Sequence, residues 1–400
     1  MYIHRDLEKQ ITQYLKSREI LAIVGPRQCG KTTLIEHILA PLDKVNTVSF
    51  DDVKTLRLFE EDVDSFIELH VRGHNFLFID EIQYSKDSGK KLKYIYDKEK
   101  TKLVISGSSA AEMSINSLKY LVGRIFIFSL YPFSFGEFML AKDERLAKIH
   151  AKGVYGQEIS STLSKYLQEF LVYGGYPRVV LAKNNDERKL ILQSIYNTFL
   201  LKEIKEILSL SENYRLTNLM KSLSLQLGGL MNYNELSSLT GFSFLELKKH
   251  IHILEETFVC NRVKPFFSNK RIELVKIPKV YFIDTGFRNI CIDNFSVERS
   301  DAGAVYENFV FSELIKKGYQ PQFWRSKSGA EVDFVVKDIP IEVKSALVGE
   351  HLTKSFHSFI DKYKPKRGYI LSKSFHGKKK VNSTLVDFAE LVRFPSEFKV

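Results

Sequence analysis

Cysteine is scarce in this chain of 400 residues: only Cys29, Cys260 and Cys291 occur, far apart and with no CxxC pair. That excludes a disulfide framework, argues against a structural zinc site, and suits a reducing cytoplasm. Long apolar runs are missing too. No stretch approaches the roughly 18 consecutive apolar residues that a membrane-spanning helix needs. The opening MYIHRDLEKQ is charged almost at once and lacks the apolar centre of a signal peptide. The expectation is a cytoplasmic protein with no membrane partner. No internal repeat or low-complexity tract is visible, so a fibrous chain is not indicated.

What is there is ordinary globular material, 44% hydrophobic and 27% charged, too apolar for a disordered chain. At roughly 100–200 residues per domain, two to four domains are expected. The net charge of +11 is unevenly spread, since residues 1–150 carry 22 Lys and Arg against 21 Asp and Glu. The basic excess therefore lies further along, where it fits nucleic acid as readily as plain solvation.

The pattern divides the chain in three. Residues 1–145 alternate short apolar runs (Ile20–Val24, Val45–Phe50, Phe76–Asp80, Leu103–Ser106) with helical stretches, the signature of a parallel α/β sheet buried on both faces. Residues 155–285 turn helical and include Asn234–Leu239, a turn at Thr240-Gly241-Phe242 and a second helix capped by Ser243 and Glu246. This reads as a helix-turn-helix. Two strands about Ser268-Asn269-Lys270 would form its wing. Its charges, Glu246, Lys248, Lys249, His250 and His252, are mixed, so a joint is as good a reading as a groove reader. Residues 286–400 return to α/β.

The densest chemistry lies at Gly25-Pro26-Arg27-Gln28-Cys29-Gly30-Lys31-Thr32, followed by Thr33. It matches GxxxxGK[ST] in full, directly after an apolar strand and opening a helix, the context that a phosphate loop requires. Main-chain N–H groups of this loop face the β-phosphate, Lys31 reaches the β and γ oxygens, and the Thr32 hydroxyl ligates Mg²⁺. Phe76-Leu77-Phe78-Ile79-Asp80-Glu81 supplies Asp80 as a second Mg²⁺ ligand and Glu81 as the base that polarises water. Ser106 or Ser108, ending the next strand, would sense the γ-phosphate; a serine turn capping a helix competes with that reading. Arg124 would stabilise transition-state charge in cis or from a neighbouring subunit.

With these motifs in place, the sequence resembles bacterial and archaeal AAA-type ATPases in which a P-loop domain is fused to a winged-helix and nuclease-like C-terminal region. The resemblance rests on GPRQCGKTTL, FLFIDEIQ, ISGSSA, GRIFIFSLYPFSFGEF, YGGYPRVV, VYFIDTGF, YENFVFSEL and GAEVDFVV…IEVKSA, which together span most of the chain. It implies ATP and Mg²⁺ as cofactors.

A second constellation comprises Glu307, Asp333, Glu342 and Lys344. Alternation puts Glu342 and Lys344 on one strand face, and a hairpin at Lys337-Asp338 returns Asp333 beside them. Carboxylates around one Mg²⁺, with a lysine to orient water, form a phosphodiester-cleaving arrangement. It is similar to the PD-(D/E)XK nuclease core, without the leading proline. Basic residues nearby (Arg325, Lys327, Lys364, Lys366, Arg367 and Lys378 to Lys380) would contact phosphates non-specifically. The expectation is an ATPase coupled to DNA binding or cleavage, with homo-oligomerisation compatible. The competing expectation is a nucleotide-dependent switch whose nuclease-like part binds a partner without cutting.

Overall fold

The computed structural model describes residues 2–108, 119–153, 155–198, 204–208, 213–266 and 277–398. They form two compact units, Met1–Pro132 with Glu256–Phe258, and Phe133–Glu255 with Val259–Val400.

In the first unit five strands run parallel in the order β2-β3-β4-β1-β5. They are β1 (Ile20–Val24), β2 (Val45–Ser49), β3 (Phe76–Asp80), β4 (Lys102–Gly107) and β5 (Ile125–Ser129). Alternation decides which side each apolar residue serves. Ile20, Ala22, Leu77, Ile79, Leu103 and Ile105 pack with Phe50, Phe59 and Phe66 on one face. Leu21, Ile23, Phe78 and Val104 pack with Leu34, Ile35 and Ile38 on the other. Both faces are dry, which is why the strands read as unbroken apolar runs.

The second unit joins what the sequence reading separated. The expected breaks near 145–155 and at 285–286 do not coincide with the compact units. Phe135 and Phe138 lie edge-on to Phe170, so the chain is already committed to the second unit before residue 145. Strands β6 (Cys260–Val263) and β7 (Lys279–Phe282) pair antiparallel. On the helix Ala302–Lys316, Asn308 accepts from Phe282 N at 2.7 Å and donates to Phe282 O at 3.0 Å. One buried amide thus extends the β7 hydrogen bonding onto the helix Ala302–Lys316.

Two helices, Tyr233–Thr240 and Phe244–Glu256, flank Gly241, which is left-handed. The Ser243–Glu246 capping box closes reciprocally at 2.7 and 3.3 Å. The expected wing turn at Ser268-Asn269-Lys270 lies outside the described residues.

The remaining strands are β8 (Gln322–Arg325), β9 (Glu331–Val336), β10 (Ile339–Val343), β11 (Arg367–Ser372), β12 (Gly377–Val381) and β13 (Thr384–Glu390). They form a mixed sheet in the order β12-β13-β11-β10-β9-β8. β9 and β10 are antiparallel, whereas β10 and β11 are parallel. A parallel pair needs a crossover, which the helix Lys354–Tyr363 provides while burying Phe356, Phe359 and Ile360. Cys29, Cys260 and Cys291 are buried and unpaired. No helix among the described residues is long and apolar enough to cross a membrane.

Candidate active site at the carboxyl edge of the parallel sheet

The loop after β1 is built by close approach. At Gly25 a Cβ would sit 2.0 Å from the Leu130 carbonyl oxygen, so this glycine is needed for close backbone packing. Gly30 takes φ 94° and caps the helix Lys31–Leu39. Its first-turn N–H groups, including that of the exposed Thr33, have no carbonyl within the helix and form an anion-binding end. We expect Gly25→Ala to cost about 1–3 kcal/mol through forced backbone displacement, measured as a shift in urea midpoint, and to weaken nucleotide binding. An unchanged midpoint would show that Leu130 gives way freely.

Arg5, which the sequence reading missed, supports this loop. Its guanidinium is buried and donates to Cys29 O at 2.8 Å and to Tyr131 O at 2.6 Å, tying the loop to the chain leaving β5. Burial pushes the Cys29 thiol up, against Lys31 and Arg5, which draw it down. A protonated thiol leaves Cys29 a packing residue that contributes main chain only.

Lys31 is buried and folds back on its own loop, donating to Gly25 O at 2.9 Å and Pro26 O at 3.1 Å. Thr32 Oγ1 donates to Asp80 Oδ2 at 2.8 Å. The other Asp80 oxygen accepts from Ser106 Oγ and from Glu81 N, the latter at 3.1 Å. A residue from the helix that the loop opens, one from β3 and one from the intervening β4 therefore meet at one carboxylate. Hydroxyl and carboxylate oxygens are the donors a hard dication takes, so Thr32 and Asp80 fit Mg²⁺. Ser106, read from sequence with Ser108 as a candidate phosphate sensor, donates to Asp80.

Glu81 is in the left-handed region, φ 56°, which turns its carboxylate out of the strand direction. Gln83 Nε2 donates to Glu81 Oε2, and Gln83 Oε1 accepts from Ser108 N at 3.3 Å. Gln83 was not singled out from sequence, yet it links the expected base to the end of β4. Arg27 and Gln28 lie within the loop, Arg27 donating to Tyr84 OH at 3.3 Å.

Arg124 is not brought to this site. Ile20 N donates to Arg124 O at 2.8 Å, so Arg124 stands at the amino end of β5, and its guanidinium pairs with Asp97 at 3.2 Å. The loop leaves the opposite end of β1, one five-residue strand away, or roughly 16 Å. A cis role is ruled out by that register.

In the second unit, Ile341 lies opposite Phe334, so Asp333 and Glu342 share the other face, as the sequence implied. Asp333 Oδ2 accepts from Val343 N at 2.7 Å. Glu342, buried, accepts from Lys344 Nζ at 2.6 Å and Thr353 Oγ1 at 2.8 Å. Glu307 accepts from Tyr281 OH at 2.9 Å. Lys279 is buried and pairs with Glu331 at 2.5 Å. Burial raises the Asp333 carboxyl and the Glu307 carboxylate raises it further, while Lys279 opposes both. Burial likewise raises Glu307, again against Lys279.

These groups feel one another, but the oxygens of Glu307, Asp333 and Glu342 do not all come within 4.8 Å. The sequence reading missed Lys279 and Tyr281, although alternation along Lys279–Phe282 places both on one face of β7. The glycine pair after Tyr173 serves packing: Gly175 N donates to the buried Asp284 at 2.7 Å.

A parallel sheet with β4 between the loop strand and the Asp80 strand, and a Thr–Asp pair at its carboxyl edge, define a P-loop nucleotide-binding domain. Accordingly, residues 17–139 match a family described as an AAA domain. Residues 164–298 and 302–391 match two domains of unknown function, DUF8612 and DUF4143. The chain is 27% identical over 346 residues to an uncharacterized protein of Haemophilus influenzae, covering 82% of each. It is 25% identical over 362 residues to an uncharacterized protein of Methanocaldococcus jannaschii, covering 84% of this chain and 75% of that protein. Among solved structures it is similar to a Walker-type ATPase of Pyrococcus abyssi, with 13% identity, TM-score 0.47, and coverage of 73% of this chain and 96% of that one.

Proposed function

We propose that this protein hydrolyses ATP in its first unit and uses the nucleotide cycle to control binding of a nucleic acid by its second. The observation carrying the first half is the 2.8 Å contact between Thr32 and Asp80 beside the buried Lys31. Main-chain N–H groups of residues 25–33, with Lys31, would hold the phosphates; Thr32 and Asp80 would hold Mg²⁺. Bound there, MgATP supplies the transferable phosphoryl group and the dication that offsets its charge. Glu81 accepts a proton from water, Gln83 keeps its carboxylate aimed, and Ser106 holds Asp80 so that both its oxygens stay directed.

Binding of a polyanion is supported by cation placement. Lys337, Lys364, Lys366 and Arg367 line one cavity of about 590 Å³, and Lys378, Lys379 and Lys380 lie exposed along β12. Such contacts read phosphate, not sequence. A test is the ATPase rate with and without single- and double-stranded DNA, at low and raised salt. Stimulation that salt suppresses is expected. A rate that DNA leaves unchanged would sink the coupling, and no hydrolysis at all would sink the whole reading.

Lys279 favours non-cleaving binding over cleavage as the role of the second unit. Its ammonium already faces the carboxylates that a metal would have to neutralise. This retains the competing switch reading for that unit: a nuclease-like site that holds a partner without cutting it. Intact plasmid and single-stranded DNA after long incubation with Mg²⁺ or Mn²⁺ are expected; Lys344-dependent cutting would overturn it.

A further inference from the structure

We propose a second, separate metal site in the first unit, formed by His4, Glu8 and His37 and suited to a first-row transition dication, Zn²⁺ above all. It does not depend on the nucleotide reading. Among the described residues this is the one group of three His, Cys, Asp or Glu side chains whose ligand atoms all lie within 4.8 Å of one another. His4 Nδ1 is 3.1 Å from Glu8 Oε2, and His37 Nε2 is 3.6 Å from Glu8 Oε1. With metal–ligand bonds of 2.0–2.1 Å, ligand atoms around a tetrahedral ion stand about 3.4 Å apart. Each histidine nitrogen lies near that spacing from one Glu8 oxygen, His4 from Oε2 and His37 from Oε1, and one ligand atom from each of the three residues lies within 4.8 Å of the others.

The donor set selects the metal. Two imidazoles and one carboxylate suit zinc and its neighbours, whereas Mg²⁺ prefers oxygen. Three ligands leave a fourth position for water, and the His4 side chain is 73% exposed. Orientation comes from Tyr2. Its ring stacks on His37, centroids 3.6 Å apart and planes 15° from parallel, and its hydroxyl donates to Glu8 Oε2 at 3.1 Å. A partner that fixes both a ligand ring and a ligand carboxylate is the usual outer support of a metal site.

The ligands also join two segments that matter to the nucleotide loop. His37 is in the last turn of the helix that the loop opens. His4 directly precedes Arg5, whose guanidinium holds Cys29 O and Tyr131 O. A metal here would clip the amino-terminal segment, and with it Arg5, to the far end of the loop helix.

The experiment uses untagged full-length protein, stripped with chelator and exchanged into buffer at neutral pH. Zn²⁺ is titrated in competition with a chromophoric chelator, and Co²⁺ absorption reports coordination number. We expect one Zn²⁺ per chain, a tetrahedral Co²⁺ spectrum, no displacement by millimolar Mg²⁺, and at least about tenfold weaker binding in His4→Ala and in His37→Ala. Lys31→Ala should bind zinc as the wild type does. His4→Ala alters an exposed side chain, so a circular dichroism spectrum matching the wild type makes its zinc loss attributable to the site. Equal zinc binding by the wild type and both histidine variants would overturn the assignment, as would no wild-type binding at 100-fold excess zinc.

Discussion

Lys31→Ala is expected to lower ATP hydrolysis by about 10³-fold or more, since it removes a side-chain cation held at the loop where phosphoryl charge would develop. Geometry gives the reason. The ammonium is buried against Gly25 O and Pro26 O, so it is held at the loop before nucleotide arrives and needs no search. Glu81→Gln should reduce turnover by about 10²- to 10³-fold while leaving ATP binding nearly intact, because the amide keeps the shape but cannot take a proton. Steady-state phosphate release and nucleotide titration, run side by side, separate the two. Hydrolysis within tenfold of wild type in Lys31→Ala would remove this loop from catalysis.

Lys279→Ala is expected to be the most destabilising single change in the second unit. A buried ammonium paired with Glu331 leaves Glu307 and Asp333 facing each other without compensation once it is gone, a loss of about 3–5 kcal/mol. The pH dependence follows from the raised carboxyls. Native Asp333 and Glu307 hold their protons to higher pH than in the unfolded chain. The native state therefore binds more protons, and stability from these groups falls as pH rises above the ordinary carboxylate range. Removing Lys279 takes away a charge that lowers both, so the penalty should be larger near pH 8 than near pH 5. Urea unfolding of the wild type, Lys279→Ala and the similarly sized Lys279→Met at the two pH values is the measurement. Equal penalties at both pH values would mean that the ammonium does not act on these carboxylates.

Much of the first unit was legible because its signals are local. An apolar strand, a glycine loop and Lys31-Thr32 are consecutive, and so are the β3 run and Asp80-Glu81. The cis placement of Arg124 failed for a related reason: Gly123-Arg124 lies near these motifs in sequence, but parallel strands put chain neighbours of a strand's start at the edge opposite the site. Arg5, Gln83 and Lys279 were passed over because a lone polar residue in a helix, turn or strand carries no pattern until its partners are known.

The sequence by itself determined the chemistry that needs adjacent residues: the phosphate loop, the paired acidic residues after β3, the capping box at Ser243 and the hairpin that sets Asp333 beside Glu342. Only the tertiary structure decided that Ser106 holds Asp80, that residues 133–255 and 259–400 form one compact unit, and that Lys279 faces Glu307 and Asp333. Short-range order follows from backbone geometry and periodicity, which each segment carries within itself. Which charges meet across a folded chain depends instead on strand order and packing, and those are settled by the whole hydrophobic core at once.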